Sequence, residues 1–254
     1  MSQGELYTFV TNKLKGGKKG SLVAVIKGTS SEDIISVLIK INNRKRRSVR
    51  EITLDMAGSM NLVASICFSK AVKVIDRFHV QKLVYDAVQQ LRIKHRWEAI
   101  EEENNGNIIC FENGDIKKQL LARSRYALYK SSTKWTESQA KRVKLLFQEY
   151  PDIKSAYESA QKLGYIYENT NCKTLAFSRM ARWFNEIELS GFTIFKTVRG
   201  TFEKHYQNIL NYFESRNTNA SSESFNAKIK DFRRRLRGVV DIKFFLFRLS
   251  KIYA

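Results

Sequence analysis

Residues Val49–His79 read VREITLDMAGSMNLVASICFSKAVKVIDRFH. Val49–Leu54 (VREITL) has the β-branched composition of a short strand and stops at Asp55. A short helix over roughly Met60–Phe68 follows. Ala71–Ile75 (AVKVI) is then a second strand that stops at Asp76, with His79 three residues on. Strand, helix, strand in that order predicts a parallel crossover, the repeating unit of an α/β sheet. Each strand ends on an aspartate, at the end where such sheets gather ligands and catalytic groups.

Upstream, Leu6–Val10 (LYTFV) and Leu22–Ile26 (LVAVI) are β-rich runs joined by the basic, glycine-rich turn KLKGGKKG, and together they predict a hairpin. Ser30 or Ser31, ahead of Glu32 and Asp33, starts a helix through IISVLIKI, which the basic run from Asn42 to Arg47 ends. The order is β, β, α, β, α, β. After His79 the pattern is helical almost throughout Val80–Phe213. Phe177, Met180, Ala181, Phe184 and Ile187 recur at helical spacing before a stop at Gly191. Val143, Leu146 and Phe147 form another stripe before Pro151, the only proline. Glu101–Gly114 is polar and reads as a loop. No internal repeat is evident.

The last segment, from about Ser222 to Tyr253, holds an amphipathic helix. Phe225, Ile229, Phe232 and Leu236 are spaced by four, three and four, and the opposite face carries Lys228, Lys230, Arg233, Arg234 and Arg235. Gly238 ends it, and a second short helix begins near Asp241.

Composition narrows the partners. Lys and Arg number 45 against 25 Asp and Glu, a formal net charge of +20. A surface so basic repels itself and binds polyanions, with nucleic acid the leading candidate over a ribosomal, tRNA or membrane-surface role. A hydrophobic share of 43% is ample for a packed core, so the chain should be globular. Cys67, Cys110 and Cys172 are far apart and lack any zinc spacing, which fits free thiols in a reducing compartment. No apolar run reaches the roughly 18 residues needed to cross a bilayer. The polar N-terminus is unlike a signal peptide, so a soluble, intracellular protein is expected.

Asp55, Asp76 and Glu223 stand out by placement, Glu223 because it opens the final helix ahead of the basic face. Each has an ordinary structural alternative. Asp55 can cap the helix after it. Glu223 suits the positive end of its own helix. Asp76 can pair with Arg77 or a lysine, and His79 can be a satisfied core histidine. Taken together they gain weight, because carboxylates from separate segments can hold two divalent metals about 3.5–4 Å apart for phosphodiester chemistry. Three consecutive arginines usually make a solvated face. With +20 on the chain and Glu223 on the same helix, phosphate contact is the better reading.

The runs ITLDMAGSMN, AVKVIDRFHVQKLVYDAVQQLR and ASSESFNAKIKDFRRRLRG resemble the DDE transposases of bacterial insertion sequences, ISL-three branch. In that family the second catalytic aspartate ends a strand and precedes a small-residue helix, and Asp55 matches it. A D-R-F-H motif follows on the next strand, matched in full by Asp76, Arg77, Phe78 and His79. The third acid precedes a phenylalanine or glycine, an asparagine and an I-K pair, matched by Glu223, Asn226, Ile229 and Lys230. The resemblance covers nearly the whole chain. It implies an α/β protein with an RNase H-like core interrupted by a large all-helical insertion. The core would take 1–85, the insertion 86–213, and the C-terminal core helices 214–254. Asp55 and Glu223 stand 168 positions apart (223 − 55), and the helical stretch fills that interval.

The resemblance further implies a two-metal site of Mg2+ or Mn2+ with Asp55 and Glu223 as ligands, and accessory roles for Asp76 and His79. Lys228, Lys230, Arg233, Arg234 and Arg235 would contact phosphates of double-stranded DNA, both transposon ends and target. A homo-oligomer on DNA is implied, in the bacterial cytoplasm at the nucleoid, with no membrane partner. The family's first aspartate normally sits on a strand just ahead of the YTFV hairpin, whereas this sequence begins Met1-Ser-Gln-Gly-Glu-Leu-Tyr, and Glu5 is too close to the hairpin to serve. A DNA-end-binding domain is likewise not visible. The expectation is a chain that cuts little or no DNA by itself. The alternative function is a non-catalytic DNA-binding remnant or inhibitor. An RNA-binding or ribosome-associated protein rests on charge alone.

Overall fold

The computed structural model describes residues 6–236 and 238–254; Glu5 and Arg237 lie outside the described residues. The chain forms two compact units, Met1–Asp76 with Ser215–Ala254, and Arg77–Glu214.

In the first unit the two β-rich runs pair as expected. β1 (Tyr7–Thr11) and β2 (Leu22–Lys27) are antiparallel, with Tyr7 opposite Lys27 and an irregularity between Val10 and Thr11. Helix α1 (Ser31–Leu38) starts where Ser30 caps it, its hydroxyl accepting from Asp33 N at 3.1 Å. Here the expectation needs correcting. The basic run does not merely end α1 but is itself a short helix, α2 (Asn43–Arg47), because the Asn42 side chain caps it through Arg44 N. β3 (Glu51–Leu54), α3 (Gly58–Cys67) and β4 (Val72–Ile75) form the predicted crossover, with β3 and β4 parallel and Leu54 opposite Ile75. The described strands make two separate pairs rather than one continuous sheet.

The second unit is helical. α4 (Arg77–Asn104) buries Val80, Val84, Ala87, Val88 and Leu91, a stripe at helical spacing. It runs four residues into the stretch expected to be a loop, since Glu101–Asn104 carry no helix breaker. α5 (Lys117–Arg123), α6 (Glu137–Glu149) and α7 (Pro151–Glu168) follow. Thr136 and Gln139 make a capping box at the start of α6. Pro151 opens α7, where its missing N–H costs nothing. The Gln81 amide of α4 donates to Ala160 O of α7 at 2.8 Å. α8 (Lys173–Leu189) has the expected period but a different phase. It buries Ala176, Met180, Trp183 and Ile187 and leaves Phe177 exposed. α9 (Lys196–Leu210) and the short α10 (Tyr212–Ser215) complete the order up to the return into the first unit.

His205 lies buried on α9, and burial first, then Lys204, lowers its imidazole below the ordinary value. A base with a folded-state pKa below its unfolded one contributes full stability above the unfolded value. That stability is lost as pH falls through the folded value. We expect His205→Leu to flatten the melting temperature of the helical unit as pH falls below 6.5, where the wild type loses stability. Parallel acid limbs in the two proteins would refute this.

α11 (Ala220–Arg235) and α12 (Ile242–Tyr253) close the first unit, with Asp241 capping α12 through Phe244 N at 3.0 Å. Phe225 and Ile229 of α11 and Phe245 and Leu249 of α12 enclose Leu22 of β2, with Phe9 and Phe232 alongside. Each large apolar side chain so buried contributes on the order of 1.5–3 kcal/mol. Leu236 caps α11 and is 40% exposed, so the buried stripe ends earlier than its spacing predicts. A second cluster joins Ile26 to Ile34 and Leu38 of α1 and Val63 and Cys67 of α3.

Candidate nucleic-acid and catalytic site

The parallel register sets the first feature. Leu54 lies opposite Ile75, and Asp76 N donates to Leu54 O at 3.1 Å, so Asp55 and Asp76 follow at adjacent strand ends. Their environments differ. Asp55 is half-buried, and its Oδ1 accepts from Ala57 N at 3.0 Å in a local turn. It is not the cap of α3, which starts from Ala57 without a side-chain cap. Asp76 is 2% exposed, and its Oδ2 accepts from the backbone N–H of Asn219. A buried carboxylate that takes a backbone N–H makes a charge-assisted bond, stronger than a neutral pair.

Asn219 is the residue from which α11 starts, and it has no side-chain cap of its own. Asp76 therefore fixes the entry of that helix. The same junction carries further bonds. Ser222 and Thr11 share a hydroxyl contact at 3.1 Å. The Asn217 amide donates to Glu51 Oε1, and Lys13 Nζ donates to Asn217 Oδ1. Desolvation pushes the Lys13 ammonium below its ordinary value, against the opposing pull of Glu51 and then Asp76. Glu223 sits one turn into α11, exposed, with its backbone N–H donating to Asn219 O at 2.9 Å. Sequence reasoning missed Lys13, Glu51, Asn217 and Asn219. Their partners are distant in the chain, and no local pattern marks them.

The basic face of α11 is exposed as predicted, but its cations are not equivalent. Arg234 and Arg235 pair with Asp231 at 2.7 and 2.8 Å, which draws the Asp231 carboxyl below the usual range. Lys228 donates to Gly17 O of the β1–β2 turn at 3.1 Å. Lys230 and Arg233 are exposed. His79 falls in the first turn of α4, half-buried, with its ring edge-on to Phe78 at 5.6 Å. It belongs to the helical unit, whereas Asp76 is the last residue of the first stretch of the other unit.

Asp55 and Glu223 are oxygen donors of the kind hard divalent cations prefer. Among the described residues, however, no group of three or more His, Cys, Asp or Glu side chains comes close enough to hold a metal ion. The described residues thus do not by themselves fit a two-metal site. What the junction does supply is a cationic helix whose entry is pinned to the strand-end Asp76, with Asp55 at the end of the adjacent strand. Among the described residues no helix is long and apolar enough to cross a membrane. No curated protein and no solved structure matches the chain. A family model described as transposase, of the DDE type and ISL-three branch, matches residues 1–249.

Proposed function

The chain belongs to the ISL-three family of DDE transposases, and we propose from that membership that Asp55 and Glu223 are its contribution to the site that cuts transposon ends and joins them to target DNA. The observation that supports this most is the bond from Asn219 N to Asp76. It ties the start of the Glu223 helix to the strand next to the one that ends at Asp55. We read the unit built from both ends of the chain as an RNase H-like core, and Arg77–Glu214 as its helical insertion. Asp76 is a positioning residue, and His79 supports the head of α4.

Members of this family generally use a divalent metal. Asp55 and Glu223 are the two ligands this chain would offer to Mg2+ or Mn2+, and such an ion would supply Lewis-acid chemistry for phosphodiester cleavage once the remaining ligands were present. Lys230 and Arg233 are exposed and pair with no carboxylate among the described residues, so they can hold backbone phosphates directly, while Arg234 and Arg235 must first give up Asp231. DNA as substrate follows from the family. A homo-oligomer on paired ends in the bacterial cytoplasm is part of the same proposal. A second reading, a DNA-binding form that does not cut, is favoured by the lack of a three-carboxylate group among the described residues.

One experiment separates them. Duplex binding and nicking of a plasmid carrying insertion-sequence ends are followed with Mg2+ for the wild type, Asp55→Asn and Glu223→Gln. If the site cuts, nicking falls at least about 100-fold in both variants, since even outer-shell partners of a metal cost roughly 10–100-fold, and binding is kept. Wild-type binding without nicking establishes the second reading. No binding at all would overturn both.

A further inference from the structure

The turn joining β1 to β2 (residues 12–21, NKLKGGKKGS) carries four lysines and no acid. It is not a floppy connection. Asn12 caps a short 3-10 turn over Lys13–Lys15 through Leu14 N at 3.1 Å. Gly16, Gly17 and Gly20 hold φ of +56°, +73° and +84°, which other residues adopt only at a cost. Lys228 reaches in from α11, and its ammonium donates to Gly17 O. A Cβ on Gly17 would stand 2.5 Å from that nitrogen, so glycine makes the contact possible. Thr11 to Ser222 and Lys13 to Asn217 tie down the base of the turn.

The turn and the basic face of α11 are therefore locked to one another. Lys15, Lys18 and Lys19 stay exposed, and none of the three pairs with a carboxylate among the described residues. Several unpaired cations held rigidly beside another cationic face repel one another in water, and a polyanion relieves that repulsion. We propose that this β1–β2 turn is a second phosphate-binding element for duplex DNA, acting with α11, and that Lys228 positions it rather than contacting phosphate itself. The inference rests on the DNA-binding reading above and adds the element that the sequence motifs do not mark.

The test measures the affinity of a labelled 30-bp duplex across a salt series. It compares the wild type, Lys15→Gln/Lys18→Gln/Lys19→Gln, and a control of equal charge loss on α2, Arg44→Gln/Lys45→Gln/Arg47→Gln. Each phosphate contact adds about 0.9 to the slope of log affinity against log salt. The turn variant should lose about 2 to 3 from that slope and bind at least about tenfold more weakly at 0.1 M salt, with the control changing much less. Circular dichroism should be unaltered, since all six side chains are exposed or on short surface elements. A turn variant that matches the wild type, or a control that loses as much, overturns this proposal and leaves DNA binding standing. A wild type that does not bind duplex overturns the DNA-binding reading as well.

Discussion

Asp115→Ala should lower the stability of the helical unit by about 3 kcal/mol, seen as a fall of roughly 6–12 °C in melting temperature. The Asp115 carboxylate is 1% exposed. Its Oδ1 accepts from Arg123, and its Oδ2 accepts from Arg142 Nε at 3.2 Å and from the Asn113 amide at 3.0 Å. It joins the turn before α5 to both α5 and α6. Removing one partner of a buried pair typically costs 3–5 kcal/mol, because the remaining charge is left unanswered. The lower figure applies here, since the Arg123 side chain is 56% exposed and can return to water. Asp115→Asn should lose less, because the amide oxygen still accepts one bond. Calorimetry of the three proteins decides it, and a melting temperature within 2 °C of wild type for the alanine variant would sink the idea.

Asp76→Ala should release the entry of α11. Leaving a buried N–H without its charged acceptor costs on the order of 2 kcal/mol, which is about 30-fold in a local opening equilibrium. Amide exchange in the first turn of α11 should accelerate by that factor, and limited proteolysis should move toward Asn217–Asn219. Asp76→Asn keeps an oxygen acceptor and should fall between. A role confined to metal binding would leave metal-free exchange rates unchanged. Exchange measured without metal therefore separates positioning from ligation.

Much of the first unit is legible in the sequence because its signals are local. The strand–helix–strand run ends on aspartates, Ser30 caps α1, and Asp241 caps α12. The ISL-three assignment is legible as well, through the D-R-F-H and E-S-F-N blocks. Other features escape for physical reasons. α2 is five residues held by one asparagine cap, too short to show a period. In α8 the period is right but the phase is off by one, since Trp183 rather than Phe184 packs inward and composition does not set which stripe of an aromatic-rich helix is buried. The bond between Asp76 and Asn219 spans 143 positions, and that between Thr11 and Ser222 spans 211. Such pairings leave no trace in neighbouring residues. Asp115 is, in the sequence, one more acid beside a polar turn, and only its burial gives it weight.

The first unit is assembled from two stretches of chain, with the whole helical unit between them. This sets an order of events during synthesis. β1 through β4 leave the ribosome without α11 and α12, so Leu22 waits for the side chains that will enclose it. The helical unit, rich in local contacts, can fold meanwhile at the pace typical of helical bundles. Closing a chain segment of that length as a free coil carries an entropic cost that grows with the logarithm of its length. A segment already folded has lost most of that freedom before α11 arrives. The seam through Asp76, Asn217 and Asn219 can therefore close only after the whole helical unit has left the ribosome, which makes it a late event in the assembly of the first unit.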